Sequence, residues 1–242
     1  MGLPLLFSIL LAAVLYSSVG YGGASGYLAA MALFGLDPGM MRPAVLTMNI
    51  FVTALVFTRL YRAGHFNPVL FFPFALASIP FSFLGGTRTL DPAVYGIVVG
   101  LALLAAALVM LFASRHEDRV TGAPPWWVIW PLGAALGLLS GLTGVGGGIY
   151  LSPLLLLMHW STVRGASAIA SAFILLNSVA GLAGYLFAGG SWPAGVPAFV
   201  AVAVVGGLIG SELGVRRLSP RSLRKVLAVV LIIAGVKLAT GI

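Results

Sequence analysis

Two apolar segments of this chain are too long for a single membrane-spanning helix, and each contains a cluster of glycines. The segments cover residues 3–35 and 126–158, whereas one helix needs only about 20 apolar residues to cross a bilayer. In the second segment, four of the five residues from 144 to 148 are glycine, and each glycine costs about 1 kcal/mol relative to alanine inside a helix. We therefore predict a helix, a break and a second helix in this segment.

Such a break leaves backbone N–H groups without partners at membrane depth. Lipid cannot satisfy these groups, so they are tolerated only where protein buries them or where they line a cavity. A weaker glycine cluster lies in the first long segment, at residues 20–26. Because interrupted apolar segments at corresponding positions of two halves indicate the binding site of a transporter, the two breaks are the predicted functional centre.

Composition places nearly the whole chain in the membrane. Of its 242 residues, 60% are hydrophobic and only 7% are charged, whereas soluble domains carry about 25% charged residues. There are no cysteines, which excludes disulfides and thiolate metal sites. We predict an all-α polytopic membrane protein. Six further apolar segments each fit one helix, at residues 43–61, 68–86, 93–114, 165–187, 194–211 and 223–240.

The chain repeats itself with a shift of 124 residues, and the segment boundaries repeat with it. We therefore predict two homologous halves, residues 1–118 and 126–242, joined by a linker at 119–125 within one membrane unit. Each half has a glycine-broken first segment, either a re-entrant hairpin or a discontinuous spanning helix, and three transmembrane helices. Identical pairs include Gly22 and Gly146, Tyr61 and Tyr185, and Gly86 and Gly210.

The positive charges favour inverted repeats. If each broken segment enters and returns on one side, ten basic residues collect on one face of the membrane and three on the other; if each crosses once, the split is eight to five. Cytoplasmic loops carry the excess of Lys and Arg, so the larger bias predicts inversion, with both termini outside. The ten are Arg59, Arg62, Arg115, Arg119, Arg164, Arg216, Arg217, Arg221, Arg224 and Lys225, and the three are Arg42, Arg88 and Lys237.

The chemistry predicted for the breaks is anion binding. A helix N-terminus presents free N–H donors and about half a positive charge, and in inverted repeats two such ends approach the midplane from opposite sides. The polar groups nearby are neutral, whereas a cation site needs carboxylates or carbonyl cages. The predicted substrate-binding residues are Ser18, Gly20, Gly22, Gly23, Ser25, Asn49, Ser140, Thr143, Gly144, Gly146, Gly147, Gly148, Ser171 and Asn177.

Three other residues are candidates for gating or for guiding the anion. Arg42 and Arg164 follow the two broken segments and are expected to draw an anion to the mouth of the site, or else to snorkel to the interface. His159 is a candidate proton-linked switch, with a plain interface residue as the alternative. Glu212 offers a second route for proton coupling.

Other glycines have the spacing of close helix packing rather than of a break. Glycines four residues apart let two membrane helices approach closely. Neutral Ser and Thr side chains in membrane helices likewise often bond to their own backbone. The packing glycines are Gly133, Gly137 and Gly141, and Gly206, Gly210 and Gly214.

The stretch GLLSGLTGVGGG at residues 137–148, followed by Pro153, resembles the signature of the sulfite exporter TauE/SafE family of membrane transporters. The resemblance extends over essentially the whole chain. The chain departs from the pattern in its first half, where Ala24 replaces the last glycine of the run. The resemblance implies export of sulfite, sulfoacetate or another organosulfonate across a bacterial inner membrane.

We therefore expect a transporter, most simply an exporter, of a small sulfur-containing anion bound near the membrane midplane. An interior-negative potential supplies about 2.3 kcal/mol per charge per 100 mV, which drives an anion outward without a pump; proton coupling is the alternative. A passive anion channel and a transporter of a different small organic anion stay open. The expected partners are the anion and the lipid bilayer, with a homodimer as a further possibility and no nucleic acid.

An enzyme is not expected. Intramembrane catalysis needs converging acid and base groups, a metal cluster or an activated nucleophile. The chain has five acidic residues and three histidines, mostly in loops, and they do not form such a set. The sequence accordingly predicts no catalytic residue, no metal site and no cofactor.

Overall fold

A computed structural model describes residues 2–112, 120, 122, 124–213 and 220–240 of the chain. These residues form ten α-helices and no strand, which confirms the predicted all-α architecture for this part of the chain. The helices are α1 (Leu3–Val19), α2 (Ala24–Leu33), α3 (Pro38–Arg62), α4 (Pro68–Thr87), α5 (Pro92–Phe112), α6 (Trp126–Thr143), α7 (Gly148–Leu157), α8 (Val163–Phe187), α9 (Val196–Leu213) and α10 (Pro220–Thr240).

Among the described residues, four helices are long and apolar enough to cross a membrane, as judged by length and hydropathy: α4, α6, α8 and the part of α3 from Gly39 to Arg62. Several residues named in the sequence predictions lie outside the described set. They are Arg115, Arg119, Gly214, Arg216 and Arg217, linker residues 119, 121 and 123, and the side chains of Arg221, Arg224 and Lys225.

Helices α3 and α4 begin at capping residues. The Asp37 side chain accepts a hydrogen bond from the backbone N–H of Gly39 at 2.7 Å. Asn67 does the same for Leu70 at the start of α4, at 3.2 Å. In both helices proline follows the cap, where its missing N–H costs nothing and its fixed φ suits the first helical turn.

Glycine-lined contacts hold two pairs of parallel helices together. Gly133 of α6 lies against Phe74 and Ala77 of α4. If Gly133 carried a Cβ atom, as alanine does, that atom would lie 3.1 Å from the Phe74 carbonyl oxygen. Gly206 of α9 approaches Leu10 of α1 more closely still, since a Cβ would lie 2.7 Å from its carbonyl oxygen. The packing role predicted for the spaced glycines is confirmed for those that the structure describes, because Gly137, Gly141 and Gly210 also contact the backbone of the facing helix.

The corresponding helices α3 and α8 lie side by side and run in opposite directions. Near the start of α3, the guanidinium of Arg42 lies 4.8 Å from the ring centroid of Tyr185, near the end of α8. At the other end, Leu60 of α3 and Ser167 of α8 both lie against Gly20. Because the start of one helix meets the end of the other, the pair is antiparallel.

A second corresponding pair, α5 and α10, has the same relation. A Cβ on Gly96 would lie 2.8 Å from the Leu238 carbonyl oxygen, and one on Gly100 would lie 2.6 Å from that of Gly235. Residue numbers rise along α5 while they fall along α10, so this pair is also antiparallel.

The chain turns back after α1 and again after α6. A Cβ on Gly26 of α2 would lie 2.9 Å from Cβ of Ala12 of α1. Likewise, a Cβ on Gly147, the residue before α7, would lie 3.1 Å from the carbonyl oxygen of Leu136 of α6. The chain therefore reverses direction between α1 and α2 and again between α6 and α7.

Candidate functional site

The connections α1–α2 and α6–α7 adopt backbone conformations that favour glycine. Gly20 and Gly23 have φ values of +96° and +98°, and Gly144, Gly146 and Gly147 have values of +83°, +84° and +69°. An L-residue with a side chain pays roughly 1–2 kcal/mol to enter this left-handed region, whereas glycine does not. The clustered glycines let the chain reverse within four residues.

Both connections meet at the side chain of Asn49, in the middle of α3. A Cβ on Gly22 would lie 3.1 Å from Asn49 Oδ1, and one on Gly146 would lie 3.3 Å from Asn49 Nδ2. Ile174 of α8 lies against the same two glycines, with its Cγ2 3.6 and 2.7 Å from those positions. Asn49 is fully buried, so the junction of the two breaks is enclosed by protein.

The two breaks reach Asn49 from opposite ends of α3. Gly20 lies against Leu60, near the last turn of α3, whereas Gly144 lies against Arg42, in its first turns. Residues 42 and 60 are 18 positions apart, which corresponds to about 27 Å along a helix. The two breaks therefore lie on opposite sides of Asn49 along α3, and both contact it.

The α1–α2 break leaves a series of backbone donors unpaired. Among the described residues, no acceptor lies within hydrogen-bonding geometry of the N–H groups of residues 22–26. The next N–H, that of Tyr27, donates to the Gly23 carbonyl at 2.9 Å. Consecutive N–H groups at a helix N-terminus form a concave, electropositive site for an anion.

The α6–α7 break has fewer free donors. The N–H of Val145 donates to Thr143 Oγ1 at 3.2 Å, and that of Gly148 donates to the Gly146 carbonyl at 2.8 Å. Those of Gly146, Gly147 and Ile149 have no acceptor in the described part of the chain. The second break therefore adds three donors to the five of the first.

Two buried side chains at the breaks each have a polar atom without a hydrogen-bond partner among the described residues. Asn49 Nδ2 donates to the Gly144 carbonyl at 3.2 Å, but its Oδ1 has no partner among the described residues. The fully buried Tyr27 hydroxyl has none either, and a Cβ on Gly23 would lie 2.7 Å from it. Other buried atoms without a described partner are Ser17 Oγ, Ser140 Oγ, Asn177 Oδ1 and Ser178 Oγ.

Three of the predicted hydroxyls are occupied by their own helices. Ser18 donates to the Leu15 carbonyl at 2.7 Å, Thr143 to Leu139 at 2.6 Å and Ser171 to Ala168 at 2.9 Å. Such back-bonding satisfies a buried hydroxyl without any ligand. Of the hydroxyls predicted to line the site, only Ser140 lacks a partner among the described residues.

Two more predicted residues are held by other side chains. Ser25, in the first turn of α2, donates to the Tyr16 hydroxyl at 2.8 Å. Asn177 donates to Ser78 Oγ and to the Phe173 carbonyl, both at 2.9 Å. These bonds place the Asn177 amide between α8 and α4, with no contact to either break.

Arg42 is buried, with its backbone beside the second break. It donates to the carbonyls of Gly86 and Arg88 at the end of α4, at 2.8 and 2.7 Å, and its guanidinium lies over the Tyr185 ring. Its side chain is thus inside the protein rather than snorkelling to the interface, and it caps α4 while leaving a positive charge near Gly144.

The other titratable candidates lie at the ends of helices. Arg164 is exposed, with Nη1 3.5 Å from His65 Nε2. His159 lies in the α7–α8 connection, with a φ of +55°. Glu212 forms an exposed ion pair with Arg59 at 3.2 Å. The structure does not bring these side chains to the Asn49 junction.

Several contacts at the junction were not predicted. Tyr95 of α5 donates to the Thr143 carbonyl at 3.0 Å, and Tyr150 donates to the Ala102 carbonyl. Tyr27 and Ile174 lie against the glycines themselves. The tyrosines inside apolar segments were a usable signal, because most buried phenols bond to a polar group nearby.

The four long apolar helices of the described residues are typical of an integral membrane protein. The model of the sulfite exporter TauE/SafE family matches residues 5–238, so the chain belongs to that family. It is 35% identical over 241 residues to a probable membrane transporter protein of Sinorhizobium fredii, covering 98% of this chain and 97% of the relative.

A probable membrane transporter protein of Methanocaldococcus jannaschii is 28% identical over 257 residues, covering 96% of this chain and 94% of the relative. No solved structure matches the chain. Together, the family and these relatives identify the protein as a membrane transporter.

Proposed function

We propose that the protein exports a small sulfur-containing anion, such as sulfite, sulfoacetate or another organosulfonate, across a bacterial inner membrane. The anion binds near the midplane, at the N-termini of α2 and α7. The observation that carries this proposal is the convergence of both breaks on Asn49, with unpaired backbone donors on each. The sulfur chemistry comes from the family to which the chain belongs.

We infer that the two halves are inverted repeats whose broken segments are re-entrant hairpins. Halves related by an axis along the membrane normal would have parallel corresponding helices, whereas an axis in the membrane plane makes them antiparallel. The antiparallel pairs α3–α8 and α5–α10 support the in-plane axis. The return of α2 along α1, and the turn that brings Gly147 back beside α6, support the hairpins.

The charges support one orientation. The exposed Arg62 and Arg164 lie at the membrane face where α3 ends and α8 begins, together with the pair Arg59–Glu212. Lys237 lies at the opposite face, where it donates to the Leu33 carbonyl at 3.0 Å. By the positive-inside rule, the first face is cytoplasmic, so the hairpin α1–α2 enters from outside and α6–α7 from the cytoplasm.

The donor set suits an anion better than a cation. Eight backbone N–H groups, at residues 22–26 and at 146, 147 and 149, have no described acceptor, and the N-terminal ends of two helices add positive potential. The acidic residues of the described set, Asp37, Asp91 and Glu212, lie at helix ends. A neutral site of this kind lets the membrane potential act on the charge of the anion itself.

Flux measurements test the proposal. The purified protein is placed in inverted vesicles, and uptake of labelled sulfite, sulfoacetate and taurine is followed with and without an imposed potential. We expect saturable, voltage-dependent flux that Gly146→Leu abolishes. The matched control is Gly35→Leu, because Gly35 also has a positive φ, +67°, but a Cβ there would meet nothing within 4 Å.

The other outcomes separate the alternatives. Flux that does not saturate would favour a passive anion channel. Absence of flux for every sulfur anion tested would remove the substrate class and leave family membership as evidence of a shared fold only.

A further inference from the structure

The orientation of the Asn49 amide is fixed by its neighbour. Its Nδ2 lies 3.2 Å from the Gly144 carbonyl oxygen, which can only accept a hydrogen bond. A flipped amide would set two acceptors against each other, so Nδ2 must face the second break. The carbonyl Oδ1 consequently faces Gly22 of the first break, 3.1 Å from the position of a Cβ on that glycine.

No described donor lies within hydrogen-bonding geometry of this oxygen. The closest hydroxyl-bearing side chain at Gly22 is Thr53, whose proton is already donated to the Asn49 backbone carbonyl at 2.6 Å. Ile174, on the other side of Gly22, is apolar. Asn49 Oδ1 is therefore a buried acceptor without a partner among the described residues, and leaving such an atom unpaired is costly.

The junction thus offers two kinds of group. The backbone N–H groups of residues 22–26 are donors for anionic oxygens, whereas Asn49 Oδ1 is an acceptor that would repel them. A fully ionised anion satisfies the donors but places lone pairs against Oδ1. An anion that also carries an O–H or N–H satisfies both.

We propose that the site selects a monoanion bearing a hydrogen-bond donor, and that Asn49 Oδ1 accepts from that donor. This selectivity rests on the proposed anion transport. The ligand class includes the protonated form of a sulfur oxyanion and the hydroxyalkanesulfonates. It disfavours sulfoacetate, because the second acidic group of that anion is also ionised.

Two sulfonates of nearly equal shape test the selectivity. In 2-hydroxyethanesulfonate a hydroxyl occupies the place of the terminal methyl of 1-propanesulfonate, while the charge is the same. We expect the protein to take up the hydroxylated sulfonate with a half-saturating concentration roughly 5- to 150-fold lower, the range that corresponds to one buried acceptor being paired rather than left open. This comparison uses the unaltered protein.

A variant then assigns the effect to one atom. Asn49→Leu removes the acceptor, so it should bring the two half-saturating concentrations within about twofold of each other. The control is Thr58→Ala, because Thr58 is an exposed residue of the same helix whose hydroxyl bonds only to the Ala54 carbonyl. It should keep the full preference.

Each outcome decides something. Saturable flux with equal affinity for both sulfonates in the unaltered protein would overturn the selectivity and leave the transport proposal standing. An undiminished preference in a folded Asn49→Leu protein would overturn the role of Asn49. Absence of flux for sulfite and for both sulfonates would overturn the proposed function and the selectivity with it.

Discussion

Replacement of Gly146 by alanine tests whether the second break is held in one conformation against Asn49. Gly146 has a φ of +84°. The added Cβ would lie 2.7 Å from Ile174 Cγ2 and 3.3 Å from Asn49 Nδ2. The first distance is too short for a real contact, so either Ile174 or the break must move.

The expected cost has two parts. An L-residue in the left-handed region costs roughly 1–2 kcal/mol, and overpacking a filled site costs about another 1–3 kcal/mol. Gly146→Ala should therefore lower the free energy of unfolding by about 2–5 kcal/mol. Gly35→Ala, with a φ of +67° and nothing within 4 Å of the new Cβ, should pay only the first part.

Flux separates the two variants further, because only one of them touches the junction. If Asn49 is displaced and about 1.4 kcal/mol of binding free energy is lost, the affinity for the anion falls tenfold. We expect Gly146→Ala to lower sulfite uptake at subsaturating concentration by at least about tenfold, and Gly35→Ala to leave it nearly unchanged. Thermal unfolding of the purified proteins reports the stability difference.

A second-site change tests the physical cause. Ile174→Ala removes the Cγ2 atom that meets the new Cβ, so the double variant should be more stable than the sum of the single changes predicts. Neighbours that share a contact typically show coupling of 0.5–3 kcal/mol. Equal effects of Gly146→Ala and Gly35→Ala, or additivity with Ile174→Ala, would refute the reasoning.

Three other predictions concern single side chains. Tyr27→Phe removes a buried hydroxyl with no described partner, so it should raise the melting temperature of the protein without ligand but weaken sulfite binding. Thermal melts with and without sulfite measure both effects, and a lower melting temperature of the protein without ligand would contradict the prediction. Arg42→Lys loses the planar group that reaches two carbonyls and should destabilise the protein by about 1–3 kcal/mol, measured by thermal unfolding. Glu212→Gln breaks an exposed ion pair with Arg59 worth under about 1 kcal/mol, and we expect unchanged flux at every pH; a shifted pH profile would instead indicate proton coupling through Glu212.

The positions of the helix interruptions could be read from the sequence because their cause is local. Several adjacent glycines weaken a helix wherever they occur, and the structure has interruptions between Val19 and Ala24 and between Thr143 and Gly148. The antiparallel relation of the halves agrees with the charge bias, which is also a property of the chain itself.

The composition of the junction was harder to predict because it depends on tertiary contacts. The rotamer of a serine or threonine decides whether its hydroxyl faces a ligand or its own backbone. The hydroxyls of Ser18, Thr143 and Ser171 donate to carbonyls of their own helices. Asn49 and Asn177 are both amide residues within apolar segments. Only the packing of α3 between the two breaks distinguishes them.

The burial of Arg42 has a similar origin. A basic residue near the start of a spanning helix normally reaches the interface, and its preference for the end of α4 follows only once α4 lies beside it.

Single-cysteine labelling measures whether the two breaks reach the junction from opposite sides of the membrane. The chain has no native cysteine, and Phe34 and Met158 are exposed C-cap residues of α2 and α7, 124 positions apart in the repeat. Phe34→Cys and Met158→Cys are labelled in sealed vesicles with a membrane-impermeant maleimide. We predict that residue 34 reacts from the outside and residue 158 only from the cytoplasmic side. Reaction of both from the same side would contradict the inverted hairpins and the shared anion site between them.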